Sequence, residues 1–80
     1  MVKQRWHLTF PEAQIKEPVI YNLGQQFGIV TNIRRANVEE NVGWVILEAS
    51  GTPEQLAEGQ KYLEGLSVQV SRIDGDLVEG

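Results

Sequence analysis

The stretch Trp44-Val45-Ile46-Leu47-Glu48-Ala49-Ser50-Gly51-Thr52-Pro53-Glu54-Gln55-Leu56 changes period in its middle. Over residues 44–50, Val45, Leu47 and Ala49 alternate with Trp44, Ile46 and Glu48, the period of 2 expected of a strand. Both sets contain apolar residues, so the strand is apolar on both faces over part of its length. Gly51 interrupts it. Thr52 then caps a helix, Pro53 pre-sets its first turn, and Gln55, three residues after the cap, completes a capping box. Leu56, Leu63 and Leu66 supply the buried stripe of that helix. Gly59 stands between them where a larger residue is expected.

Working outward, Gly65 weakens the helix end, and residues 67–73 alternate Val68 and Val70 against Gln69 and Ser71 as a last strand. Residues 74–80 read as a frayed tail. On the other side, Ile29-Val30-Thr31-Asn32-Ile33-Arg34-Arg35-Ala36-Asn37-Val38 is rich in β-branched residues and reads as a long strand. Its alternation is blurred at Arg34-Arg35-Ala36, the place for a bulge. A turn over residues 39–43 makes it one arm of a hairpin with the strand that starts at Trp44. Earlier still, residues 3–10 alternate Trp6, Leu8 and Phe10 against Arg5, His7 and Thr9, a half-buried strand that Pro11 ends. Glu17 and Pro18 open a helix, with Pro18 at its first position, Val19, Ile20, Leu23 and Phe27 at helical spacing, and Gly28 as its C-terminal cap. Gly24 inside that helix costs about 1 kcal/mol relative to Ala.

The order β-α-β-β-α-β in 80 residues and 9.0 kDa predicts one α+β domain over residues 1–80, with its core at 4–73. This is the ferredoxin-like arrangement: a four-stranded antiparallel sheet with two helices on one face and the first and third strands at its centre. The other face is open. Facing Trp6, Leu8 and Phe10 toward the helices leaves Arg5, His7 and Thr9 on the open face beside Trp44, Ile46 and Glu48. Turning Ile33 toward the helices places Asn32 and Arg34 on the open face, at the edge of the sheet. Trp44 and Ile46 are then apolar residues on an uncovered surface, the kind a second copy, a ligand or a partner covers. A homodimer through them is the expectation.

Composition excludes several functions. With no cysteine there is no disulfide, thiolate metal site or cysteine nucleophile, and a reducing cytoplasm is the natural setting. The N-terminus lacks the apolar run of a secretory signal, and no stretch approaches the ~20 apolar residues of a membrane span. His7 is the sole imidazole. No histidine and carboxylate have metal-ligand spacing, no serine sits in a nucleophile elbow, and no glycine loop cradles phosphate. The sequence therefore predicts a non-enzyme with no metal and no cofactor. The net charge of -4 opposes a dedicated nucleic-acid binder, although residues 1–35 are net basic and residues 36–80 strongly acidic. RNA-recognition motifs share this element order and stack bases on aromatics of the central strands. Here Trp44 is the one aromatic of that set, which leaves RNA binding a distant third reading.

Phe10-Pro11, Glu17-Pro18-Val19-Ile20-Tyr21-Asn22-Leu23, Val30-Thr31-Asn32-Ile33-Arg34-Arg35-Ala36-Asn37-Val38, Gly43-Trp44 and Leu47-Glu48-Ala49-Ser50-Gly51 occur in the order found in the NIL domain family, which the chain resembles over about residues 4–73. The resemblance implies a fold similar to amino-acid-binding ACT domains. It also implies the role of the C-terminal regulatory domain of methionine-importer ATPases, which binds methionine and inhibits transport. The chain resembles the free-standing form of that domain. Of the Asn-Ile-Leu motif that names the family, Asn32 and Ile33 match and Arg34 replaces the leucine. The motif asparagine of the importers holds methionine between two copies of the domain, and Asn32 is the corresponding residue. Arg34 beside it suits the carboxylate of an amino acid, to which a guanidinium donates paired hydrogen bonds. His7 completes the expected ligand site. The leading expectation is thus a small-molecule sensor that passes occupancy to an unidentified partner protein; the alternative is a protein-interaction module with no ligand of its own.

Overall fold

A computed structural model of the chain describes residues 1–11, 18–38 and 42–73. The elements are β1 (Val2–Pro11), α1 (Val19–Phe27), β2 (Val30–Val38), β3 (Val42–Gly51), α2 (Pro53–Gly65) and β4 (Gln69–Arg72). One antiparallel sheet holds the four strands in the order β2-β3-β1-β4. The expected α+β architecture, with the first and third strands central, is therefore the one observed.

Alternation along the central strands builds the core. Trp6 lies opposite Leu47, and Leu8 lies between Val45 and Val70. Trp6, Leu8, Leu47 and Ala49 are fully buried beneath Leu23 of α1 and Leu56 and Leu63 of α2. The buried Trp6 indole keeps its polar atom satisfied, because Nε1 donates to the side-chain carbonyl of Gln4 at 2.8 Å. Between the helices, the Asn22 amide donates to the Tyr62 hydroxyl at 2.8 Å, and Phe27 packs at a tilt on the Tyr62 ring.

The helix ends follow the sequence closely. Thr52 accepts from the Gln55 backbone N–H, and the Gln55 side chain accepts from the Thr52 N–H, which is the full capping box. Gly28 adopts φ 70° and ψ 23°, and its N–H bonds back to Gly24. A side chain there would be strained in the left-handed region. Gly59 has a different reason. A Cβ at that position would stand 2.5 Å from Ile29 Cδ1 and 3.3 Å from Leu23 Cδ2, so its absence lets α2 approach α1 and the loop that follows it.

Four expectations need correction. Strand β1 continues through Pro11, which pairs with Val42; the last position of a strand tolerates a residue without an N–H. Pro18 precedes the first helical turn as its N-cap instead of occupying it. Strand β3 starts at Val42, inside the expected turn, and β4 is confined to residues 69–72. Ile33 does share the helix-side face with its partner Leu47, as expected, and is 53% exposed there because β2 is the sheet edge and extends beyond the cover the two helices provide. The expected tail, residues 74–80, lies outside the described residues, as does the middle of the expected turn at 39–41.

Candidate functional site

The face opposite the helices takes the remaining residue of each pair. Arg5 stands across from Glu48, His7 from Ile46 and Thr9 from Trp44. On the other side of β3, Asn32 lies opposite Glu48, Arg35 opposite Ile46 and Asn37 opposite Trp44. The register slips between Ile33 and Arg35, at the point where the sequence alternation blurs. This bulge has a chemical consequence. It absorbs Arg34 as an extra residue, so two consecutive arginines reach the same face where regular pleating would turn one of them away.

Arg5, Arg34, Arg35, Ile46 and Ile73 line an open cavity of about 360 Å³ on this face. Ile73 is brought in by the continuation of β4, where its N–H donates to the Arg5 carbonyl at 2.9 Å. Glu48 stands against two of the lining arginines. Its Oε2 accepts from Arg5 Nη2 at 3.0 Å and lies 3.9 Å from Arg34 Nε, near enough for attraction but too far for a hydrogen bond. The Arg5 bond, together with the neighbouring charges of Arg34 and Lys3, holds the Glu48 carboxyl below the ordinary glutamate range against the opposing effect of burial. Arg5 Nε is a buried donor with no hydrogen-bond partner among the described residues.

A second feature lies beside the cavity. The His7 and Trp44 rings stack with centroids 5.5 Å apart and planes 19° from parallel. Trp44 and Ile46 are half-buried; the Trp44 ring covers and is covered by its neighbour across the strand pair. The largest exposed apolar residues among those described are elsewhere, at Met1, Val2, Tyr21, Val30 and Ile33.

Of the residues singled out from the sequence, Arg34 and Ile46 meet in the cavity. Asn32 shares the open face with them but is exposed and does not line the cavity, and His7 faces Trp44. Sequence reasoning missed Arg35 and Ile73 as lining residues, and the ion pair that ties Arg5 to Glu48. The blurred alternation at residues 34–36 carried the signal for Arg35. Chemically, the lining offers fixed positive charge and two aliphatic surfaces. A guanidinium donates hydrogen bonds without accepting them, so this lining is suited to an acceptor-rich group.

The family model for the NIL domain matches residues 4–72. The chain belongs to the NIL domain family. This NIL domain is 30% identical over 73 residues to the methionine import ATP-binding protein MetN of Ligilactobacillus salivarius (strain UCC118), an alignment that takes in 86% of the chain and 21% of that protein. It thus spans about a fifth of the length of the curated relative it matches. In structure, the NIL domain resembles the crystal structure of the C-terminal domain of an ABC transporter / ATP-binding protein from Enterococcus faecalis, with a TM-score of 0.78 and 20% identity over 90% of this chain and 84% of that one. At that identity the likeness is one of fold.

Proposed function

We propose that this NIL domain is a regulatory sensor that binds an amino acid such as methionine on the open face of its sheet and passes occupancy to a partner protein. The family match over residues 4–72 carries this reading, and the Ligilactobacillus salivarius relative, a methionine import ATP-binding protein, suggests the ligand. Asn32, Arg34 and His7 are the proposed polar residues. Arg34 sits at the cavity beside Ile46, which supports pairing a carboxylate with an apolar side chain; Asn32 and His7 lie on the same face at neighbouring register positions. Asn32 contributes both a donor and an acceptor, as a zwitterion requires.

The reading extends to a homodimer in which a second copy covers Trp44 and Ile46 and encloses the ligand. Light scattering of concentrated protein should then report a dimer, and Trp44→Ala should weaken assembly more than folding. A strict monomer at millimolar protein contradicts the dimer.

Calorimetric titration of methionine into wild type and Asn32→Ala tests the ligand. Binding by wild type, with a raised melting temperature by linkage and loss of affinity in the variant, is the expected result. If wild type is unchanged at millimolar methionine, the domain acts as a protein-docking module. Equal binding by Asn32→Ala overturns the assignment of that residue.

A further inference from the structure

The charge of the cavity carries an inference that goes beyond amino-acid sensing. Three arginines, Arg5, Arg34 and Arg35, line one opening. The carboxylate set against them is that of Glu48, and its Oε2 is engaged by Arg5 and faces Arg34. Arg35 has no ion pair with any described residue, and Arg5 Nε is an unmet buried donor on a residue of the same lining. Among the described residues, the site therefore holds a surplus of positive charge and of N–H donors over the acceptors set against it. Ile46 and Ile73 form the rest of the wall.

A zwitterion brings no net charge to such a place, and the attraction of its carboxylate to the guanidiniums is partly offset by their repulsion of its ammonium group. An anion with the same hydrocarbon tail has only the attraction. We infer that the cavity is a binding site for small aliphatic monocarboxylates lacking an α-ammonium group, the chemical class of the 2-oxo and 2-hydroxy acids, with Arg35 as the principal carboxylate-binding residue. Arg35 supplies the fork geometry that matches a carboxylate with two parallel hydrogen bonds. Arg5 and Arg34, anchored to Glu48, keep the surrounding field positive. The isoleucines take the hydrocarbon and favour a branched or linear tail over a bare inorganic anion.

The test compares two molecules with one carbon skeleton, 4-methyl-2-oxopentanoate and leucine, by calorimetric titration at low ionic strength, with inorganic phosphate and methionine as further arms. The oxo acid should bind roughly tenfold or more tightly than leucine, and its affinity should fall as salt is raised. Arg35→Gln, at an exposed position, should lose roughly tenfold in oxo-acid affinity while its urea midpoint stays that of wild type. Arg35→Lys, which keeps the charge but not the fork, should lose several-fold and serves if the glutamine variant does not fold. Equal binding of leucine and oxo acid, phosphate binding as tight as the oxo acid, or unchanged affinity in both Arg35 variants overturns the inference. Methionine binding without oxo-acid binding overturns it too and leaves the proposed sensor standing, whereas oxo-acid binding without methionine does the reverse.

Discussion

The two faces of this sheet are made by the same strands, one residue apart, and they differ in almost every physical property. On the helix side, Trp6, Leu8, Leu47 and Ala49 are wholly removed from water and hold the fold together. On the other side, Arg5, His7, Trp44, Ile46 and Glu48 are only partly covered and interact through charge and ring stacking. A domain of this size has one core to build, and the helices spend their apolar stripes on one face. Chemistry that needs solvent access is left the other, and the contrast assigns stability to one set of alternating positions and recognition to the set between them.

Substitutions on the covered face should break the comparison most severely. Leu47→Ala empties a fully buried position between Trp6 and Ile33 and should cost about 2 to 5 kcal/mol in urea unfolding. An equally mild response there to that of an open-face variant such as Arg35→Gln erases the distinction.

Two glycines sharpen the same boundary with smaller effects. At Gly59, a Cβ meets Ile29 and Leu23, both buried. Gly59→Ala should cost about 1 to 3 kcal/mol by overpacking, which exceeds the gain of about 1 kcal/mol in helix propensity. At exposed Gly24 the nearest atom is the Ile29 carbonyl oxygen at 3.5 Å, an ordinary contact. Gly24→Ala should therefore stabilise by about 0.5 to 1 kcal/mol. Thermal melts of the two variants should move in opposite directions.

The smallest expected effect lies on the open face and depends on pH. Because Arg5 and its neighbours lower the folded-state pKa of Glu48, the carboxylate stabilises the native state at neutral pH. That contribution is lost as pH falls from the ordinary glutamate value of about 4.3 through the lowered value. Glu48→Gln should flatten this part of the stability profile. An unchanged acid profile in the variant shows that the ion pair contributes nothing measurable.

Element order, the capping box at Thr52 and Gln55, the left-handed Gly28 and the division of residues between the faces were all legible in the sequence, because each rests on a local period or a local hydrogen bond. The exposure of Ile33 was not, since it depends on how far the helix layer reaches over an edge strand. The cavity was legible in part. Arg34 and Ile46 follow from alternation, but Arg35 joins them through the direction in which a bulge turns two consecutive residues. Ile73 joins through a backbone bond to Arg5, 68 positions away, that no local pattern encodes.

The central claim is that ligand engages the open face while the core stays as it is, and the two tryptophans of the chain report on the two faces separately. Trp6 is buried under the helices with its indole N–H on Gln4, and Trp44 lies on the open face against His7. Titration of methionine into labelled protein, followed by the two indole N–H resonances, tests the claim most directly. The account predicts a saturable shift of the Trp44 signal with the Trp6 signal fixed. Movement of Trp6 alone, or no movement of either at millimolar methionine, contradicts it.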